Sequence, residues 1–149
     1  MNQRGFTLIE LIVVIIILAI VSAIALPKFL NMQREARIAQ LNAMAGSIKA
    51  AALLVRGKAE ATNADLTSTT ATLAINAYGV TTVDLDYGYP DATSTGIQGV
   101  VKAGSEWTIT GSNPIIFQWG TFTNCNVSYT APAAAGSRPT ITITDSGCS

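Results

Sequence analysis

The apolar run over residues 6–26 constrains this chain more than any other feature of its sequence. Its 21 residues include three polar side chains, which are Thr7, Glu10 and Ser22. As a helix the run would be roughly 31 Å long, enough to cross the hydrocarbon core of a bilayer. The short segment before it is positively charged through Arg4, so we expect the N-terminus to stay in the cytoplasm.

Glu10 discriminates between three interpretations of this run. A secretory signal peptide is favoured by Ala23-Ile24-Ala25, which fits the small-x-small cleavage pattern, but a signal peptide has no use for a carboxylate at the head of its apolar region. A plain membrane anchor also leaves it unexplained, since a charge deep in lipid costs at least about 2.5 kcal/mol. Cleavage between Gly5 and Phe6 would supply a partner, because the new amino group of one subunit can pair with Glu10 of the next. Such an ion pair fixes the register of a polymer.

Beyond Pro27 the pattern changes from uniformly apolar to amphipathic. Proline inside a helix removes one backbone hydrogen bond, so we expect a kink there. Over residues 28–57 apolar side chains recur at three- and four-residue spacing, which predicts a helix with one core-facing stripe. Gly57 is its predicted end. The stripe consists of Leu30, Ile38, Leu41, Ala45, Ile48, Ala52 and Val55.

Residues 58–149 are predicted to form a head with one antiparallel sheet. We interpret residues 61–79 as a loop with a short helical turn near 73–77, and expect Thr95 to cap a short helix over 96–103. Alternating apolar residues predict strands over 106–110, 115–119, 122–130 and 140–144, with a tight hairpin at Gly120-Thr121. This sheet can bury its apolar face only against the stripe of the long helix, which gives an α+β fold.

The two cysteines, Cys125 and Cys148, both lie in the last quarter of the chain. In a protein that leaves the cytosol an even pair indicates a disulfide, and two unpaired thiols are the alternative. A disulfide here would join the last strand to the one before it. It would contribute roughly 3 kcal/mol to stability in the chain-entropy account.

The composition argues against catalysis and against a bound cofactor. The chain contains no histidine, which removes the commonest general base and the commonest zinc ligand. It also lacks a phosphate-binding glycine loop. Asp84 and Asp86 could contact a cation from one strand face, but such a pair is more often a solvated edge. We therefore expect no enzyme, no cofactor and no metal site.

Charge divides the chain into a basic stem and an acidic head, although the formal net charge is zero. Residues 1–60 carry seven cations and three carboxylates, whereas residues 61–149 carry two cations and six carboxylates. The zero total argues against a nucleic-acid partner. The asymmetry predicts a salt-sensitive contact between acidic heads and basic stems of neighbouring subunits, with Arg34 and Arg37 as the cations to neutralise.

The segment Gly5-Phe6-Thr7-Leu8-Ile9-Glu10-Leu11 resembles the processing signal of type IV pilins and type II secretion pseudopilins. The resemblance implies that residues 1–5 are a leader, that a membrane prepilin peptidase cuts after Gly5, and that the new Phe6 amine is N-methylated. Residues 25–33 and 35–38 are similar to pilins of the mannose-sensitive haemagglutinin (MSHA) class. The similarity is strong over residues 1–60 and weaker beyond them.

This resemblance implies the type IV pilin fold. Residues 6–27 would be the transmembrane and filament-core half of one helix, residues 28–57 its amphipathic half, and residues 58–149 a head with a C-terminal disulfide loop. The precursor would sit in the inner membrane with its N-terminus in the cytoplasm. Assembly machinery there would polymerise it into an extracellular homopolymer for surface adhesion and biofilm formation.

The resemblance also names partners and alternatives. A surface glycan, an abiotic surface and phage are the partners that it implies outside the cell. A type II secretion pseudopilin shares the leader and stem, but major pseudopilins usually have a calcium-binding C-terminal loop and no disulfide, so the cysteine pair favours a pilin. A secreted binding module released after Ala25 is the third interpretation.

Overall fold

The computed structural model describes residues 6–149, which fall into two compact units. One unit comprises the residues up to Ala36 together with Ser149, and the other is Arg37–Cys148. The predicted leader, residues 1–5, lies outside the described residues. Helix α1, Leu8–Ala61, contributes residues to both units. It runs through Pro27 without interruption, and the kink expected there stays a prediction.

Helix α1 ends at Ala61 and not at Gly57, so the predicted end was wrong by four residues. The actual stop is Asn63, whose φ of 54° is left-handed. Its N–H donates to the Glu60 carbonyl at 3.2 Å, and the Ala64 N–H donates to the Ala59 carbonyl at 2.9 Å. This pair of bonds is a Schellman motif, in which asparagine takes the position that glycine usually occupies.

A three-stranded antiparallel sheet follows α1, and its first strand lies within residues 61–79, where a loop was predicted from the sequence. It consists of β1 (Ala71–Ala77), β2 (Val80–Asp86) and β3 (Tyr89–Pro90), in that order. The helical turn predicted over 73–77 was therefore wrong. The alternation in β1 is weak because four of its seven residues are Ala or Thr, and it is buried mainly through Leu73.

Two Tyr-Gly turns connect these strands. In Tyr78-Gly79 and Tyr87-Gly88 both residues have positive φ, between 48° and 87°. Each turn joins directly paired strand residues, Ala77 to Val80 and Asp86 to Tyr89. These are two-residue hairpin turns, whose twist matches that of the flanking strands.

Helix α2 is a single turn, Ile97–Val100, whose N-cap is Gly96. The prediction that Thr95 caps this helix was wrong. The Thr95 hydroxyl donates instead to Asp84 Oδ2 at 2.6 Å. The Gly96 N–H donates to the Thr93 hydroxyl oxygen at 3.2 Å. The chain before α2 is therefore held by Thr93, two residues before the expected Thr95.

The predicted antiparallel meander of three or four strands is confirmed, with four strands in the order β4-β5-β6-β7. The tight hairpin predicted at Gly120-Thr121 was wrong, because residues 120–125 form a longer connection. That connection is closed by a bond from the Trp119 N–H to the Cys125 carbonyl at 2.9 Å. The strands are β4 (Trp107–Thr110), β5 (Ile115–Trp119), β6 (Asn126–Thr130) and β7 (Thr140–Thr144).

The core of the Arg37–Cys148 unit forms where the stripe of α1 packs beneath the sheets. Four of the predicted stripe residues are buried: Leu41, Ile48, Ala52 and Val55. Predicted members Ile38 and Ala45 are half-buried, and the structure adds Met44 and Ala59. On the sheets the largest buried side chains are Phe117 and Tyr129. The result is an α+β fold, as predicted.

One polar atom enters this core and is satisfied there. The Tyr129 hydroxyl donates to the Pro90 carbonyl at 2.6 Å, which ties β6 to β3. Burial, and then the charges of Asp86 and Asp91, raise the pKa of Tyr129 well above its ordinary value. The phenol therefore stays protonated at neutral pH and keeps its donor.

Cys125 and Cys148 form a disulfide, and both are fully buried. The last residues are held further by Arg37, whose Nη1 donates to the Cys148 carbonyl at 2.8 Å. The Arg37 guanidinium also lies 4.1 Å from the centre of the Phe122 ring. Gly147 is required by space, since a Cβ there would collide with the Thr123 carbonyl oxygen. The C-terminal segment is thus fastened to both α1 and the loop before β6.

We predict that the Cys125→Ser/Cys148→Ser double variant lowers the free energy of unfolding by about 3 kcal/mol, because the bond closes a loop between residues 23 apart. Urea unfolding of the detergent-solubilised full chain measures this, with fluorescence of the edge-to-face Trp107–Trp119 pair as the signal. Reducing the wild type with a thiol should reproduce the loss. Equal midpoints for the variant and the wild type would contradict the prediction.

Candidate functional site

The described residues up to Ala36 form an apolar surface that nothing in their own unit covers. Phe6 is 90% exposed, and even the least exposed large apolar side chain before Leu26, that of Ile12, is 43% exposed. By length and composition α1 can cross a membrane, and none of its most apolar window is buried. Signal sequences near an N-terminus meet the same test. So much exposed apolar surface requires a lipid or protein partner.

A capping box occupies the start of this surface. The Glu10 N–H donates to the Thr7 hydroxyl oxygen at 3.3 Å, and the Thr7 N–H donates to Glu10 Oε2 at 3.2 Å. The Thr7 hydroxyl also lies 3.1 Å from the same carboxylate oxygen. Two otherwise unpaired N–H groups of the first turn are therefore satisfied reciprocally. The sequence analysis missed this motif, although Thr7-Leu8-Ile9-Glu10 matches its signature.

The capping box defines what Glu10 can do. A carboxylate has about four acceptor positions, and Thr7 uses part of one side of it. The rest remains available to a cation. The N-terminus of a helix attracts negative charge through the macrodipole, so the tip of this apolar rod is a favourable position for a carboxylate. Phe6 lies immediately before the cap and outside the helix, and Gly5 lies outside the described residues.

Two arginines in the Arg37–Cys148 unit, Arg37 and Arg56, bind groups of their own chain. Arg37 holds Cys148 and Phe122, as described above. Arg56 Nη1 donates to the Tyr87 carbonyl at 2.6 Å, and its Nε pairs with Glu60 at 2.7 Å. Arg37 is therefore not a free cation for a neighbouring head, and neutralising it would disturb its own C-terminal segment.

Three carboxylates, Asp84, Asp86 and Asp91, lie together at β2 and just after β3; we call them the acidic face. Burial raises the pKa of Asp91, and the charges of Asp84 and Asp86 raise it further, whereas a bond from the Thr93 hydroxyl opposes the change. Burial also raises the pKa of Asp86. Within residues 6–149 no group of three or more potential metal ligands is arranged to hold an ion.

Comparison with known proteins identifies relatives of the chain. Residues 1–26 match the family described as the prokaryotic N-terminal methylation motif. Over 108 residues the chain is 31% identical to the type IV narrow pilus major component PilA5 of Thermus thermophilus, a match that covers 72% of each protein. Over 40 residues it is 56% identical to prepilin peptidase-dependent protein D of Escherichia coli, covering 27% of each. No solved structure matches it.

We predict that Thr7→Ala frays the first turn of α1, whereas Thr7→Ser keeps the cap. Loss of an N-cap side chain costs about 1 kcal/mol. Amide hydrogen exchange in detergent micelles, followed by NMR, should show faster exchange of the Glu10 amide in Thr7→Ala only. Identical exchange in the two variants would show that the hydroxyl does not hold the turn.

We predict that Asp91→Asn stabilises the fold at neutral pH. Because the folded pKa is raised, the folded state binds the proton more tightly, so the wild type loses stability as pH rises from the ordinary value of 3.8 through the folded pKa. Asparagine does not ionise, so the variant does not lose this stability as pH rises. Its side-chain oxygen still accepts a hydrogen bond from the Thr93 hydroxyl. Urea midpoints at neutral pH and below the ordinary value measure the difference.

Asp65→Asn is the control with the opposite sign. Hydrogen bonds from Thr67 lower the pKa of Asp65, so its contribution is present above the ordinary value and disappears as pH falls. Asp65→Asn should therefore destabilise at neutral pH and have no effect in acid. A shift in the same direction for both variants would contradict the assignment.

Proposed function

The chain belongs to the type IV pilin family, and from this premise we propose that it is the major subunit of an MSHA-like pilus. It would polymerise through α1 into an extracellular filament that serves surface adhesion and biofilm formation. The observation that carries the proposal is the uncovered apolar surface of residues 6–26 with its single carboxylate, Glu10. Lipid covers such a surface in the precursor, and only other copies of α1 can cover it equally well in a filament.

Processing would begin at the bond between Gly5 and Phe6. Phe6 is exposed and not helical, so a prepilin peptidase could take this bond in extended form. Cleavage makes Phe6 the N-terminus and gives it an amino group, which we propose is then methylated. The helical cap at Thr7 remains intact because it involves no residue before position 7.

We propose that in the filament Glu10 of one subunit accepts a hydrogen bond from the Phe6 amine of a neighbouring subunit. In the free chain the carboxylate is bonded to Thr7, which keeps it oriented without using all of its acceptors. Inside an apolar bundle both charges would be costly alone, so a subunit entering at the wrong height would bury an unpaired charge. The pair would thus select the axial position more than it would add stability.

A type II secretion pseudopilin is the second candidate. The Escherichia coli relative named as prepilin peptidase-dependent supports processing by the same kind of peptidase, and processing is common to both classes. The Cys125–Cys148 disulfide favours a pilin. A secreted module that starts at Leu26 is disfavoured, since that cleavage would cut continuous helix α1 in its middle.

The proposal also assigns partners and locations. Before assembly the subunit would span the inner membrane once, with its N-terminus in the cytoplasm, and contact the prepilin peptidase and the pilus assembly machinery. After assembly its main partner would be itself. A surface glycan, an abiotic surface and phage are the proposed external partners, with no nucleic acid and no catalytic reaction expected.

The experiment is electron microscopy of sheared surface material together with the intact mass of its subunit. We expect extracellular fibres built from a chain that begins at methylated Phe6. Glu10→Gln should be processed at the same bond but should not form fibres, because the neutral carboxamide cannot form an ion pair with the charged amine. A mature chain that begins at Leu26, or processed protein that never leaves the envelope as fibres, would overturn the proposal.

A further inference from the structure

A groove of about 460 Å³ opens between α1 and β7 within the Arg37–Cys148 unit. Its walls are mostly apolar and include Ile141 and Ile143 of β7 and Leu53 of α1. Leu53 is 54% exposed and Ile143 is 38% exposed, which is unusual for large aliphatic residues next to a folded core. The groove therefore presents apolar area that a partner could bury.

Two cations stand in this groove without a counter-ion. Lys49 of α1 and Arg138, which precedes β7, both line it, and both are exposed. In the part of the chain that the structure describes, the one ion pair joins Arg56 to Glu60. Strand β7 is also an edge of its sheet, so the groove borders backbone groups that no strand in residues 6–149 pairs with.

The acidic face is formed by other residues of the same unit, on β2 and just after β3. Val83 and Leu85 of β2 are fully buried against the core, so Asp84 and Asp86, which alternate with them, project from the opposite side of the strand. These carboxylates have hydroxyl partners, Thr95 for Asp84 and Thr93 for Asp91, but no cation among the described residues. Each subunit thus carries an unneutralised basic groove and an unneutralised acidic face.

We infer that the groove between α1 and β7 of one subunit receives the acidic face of the next subunit along the filament. The inference rests on the proposed function and adds the contact between heads. Two cationic grooves repel each other, as do two acidic faces, so a symmetric dimer is disfavoured and a head-to-tail contact is favoured. A contact between two different surfaces generates an open helical polymer when its rotation does not close a ring.

The apolar and charged parts of the groove would have separate roles. Burial of Leu53 and Ile143 supplies the area that holds two heads together. Lys49 and Arg138 orient the incoming head and reject one of the wrong polarity, and this part weakens as salt is added. Among the described residues Lys49 and Arg138 have no ion-pair partner, whereas Arg37 is held by the Cys148 carbonyl, so this salt-sensitive contact does not depend on Arg37.

The test uses two charge-reversed full-length variants, expressed separately and together. Lys49→Glu/Arg138→Glu makes the groove acidic, and Asp84→Lys/Asp86→Lys makes the acidic face basic. Each variant alone would bring like charges together at every contact and should lose most of its sheared filament. Expressed together they should recover filaments, because each variant's groove is then complementary to the other's face, in an alternating copolymer.

Lys58→Glu/Lys102→Glu is the matched control, with the same change in charge at exposed lysines that do not line the groove. It should assemble like the wild type. Formation of the Cys125–Cys148 disulfide and protease resistance in the membrane fraction would show that the variants fold.

The outcomes separate this inference from the proposed function. Wild-type filaments together with undiminished filaments from either charge-reversed variant would overturn the inference and leave the pilin role intact. Failure of the mixed variants to recover filaments would overturn it too. A wild type that forms no filaments would overturn both.

Discussion

An apolar helical surface that its own chain does not cover must be covered by lipid or by other molecules, and α1 is built around this requirement. Over residues 8–26 large aliphatic side chains lie on every side of the helix and all are exposed. From Leu41 onward one stripe of the same helix is buried beneath two sheets. The helix thus changes from a surface that needs other molecules to one that is satisfied within the chain, and this change explains how one helix can serve both a membrane precursor and a folded head.

The chain has few charged side chains, and their positions follow from their surroundings. Glu10 lies in apolar surroundings, where the Thr7 cap and the helix dipole make one carboxylate tolerable. Arg37 and Arg56 donate hydrogen bonds to the carbonyl groups of Cys148 and Tyr87. These bonds fasten loops of the head to α1. Among the described residues, the groove cations Lys49 and Arg138 and the carboxylates of the acidic face have no ion-pair partner, so they are available for contacts between subunits.

Several features of the head were beyond sequence reasoning for identifiable reasons. Strand β1 is rich in Ala and Thr, so its alternation carries little signal, and it exists because β2 pairs with it and Leu73 reaches the core. The end of α1 was placed at a glycine, whereas Asn63 closes it, since asparagine also tolerates left-handed φ. Thr95 resembled a helix cap, but its hydroxyl is taken by Asp84 from a strand eleven residues earlier in the chain. A partner outside the local segment decided the case of Thr95, whereas the end of α1 is set by bonds to Ala59 and Glu60 in its own last turn.

The sequence by itself determined the apolar run and the carboxylate four residues after Phe6, the amphipathic stripe, the four-stranded meander and the cysteine pair. These depend on periodicity and composition, which are properties of a short stretch of chain. Only the tertiary structure decided that Arg37 locks the C-terminal segment, that Arg56 holds the Tyr87-Gly88 turn, and that Lys49 and Arg138 line one groove. Those arrangements join residues that are dozens of positions apart, and local patterns contain no information about which of them meet.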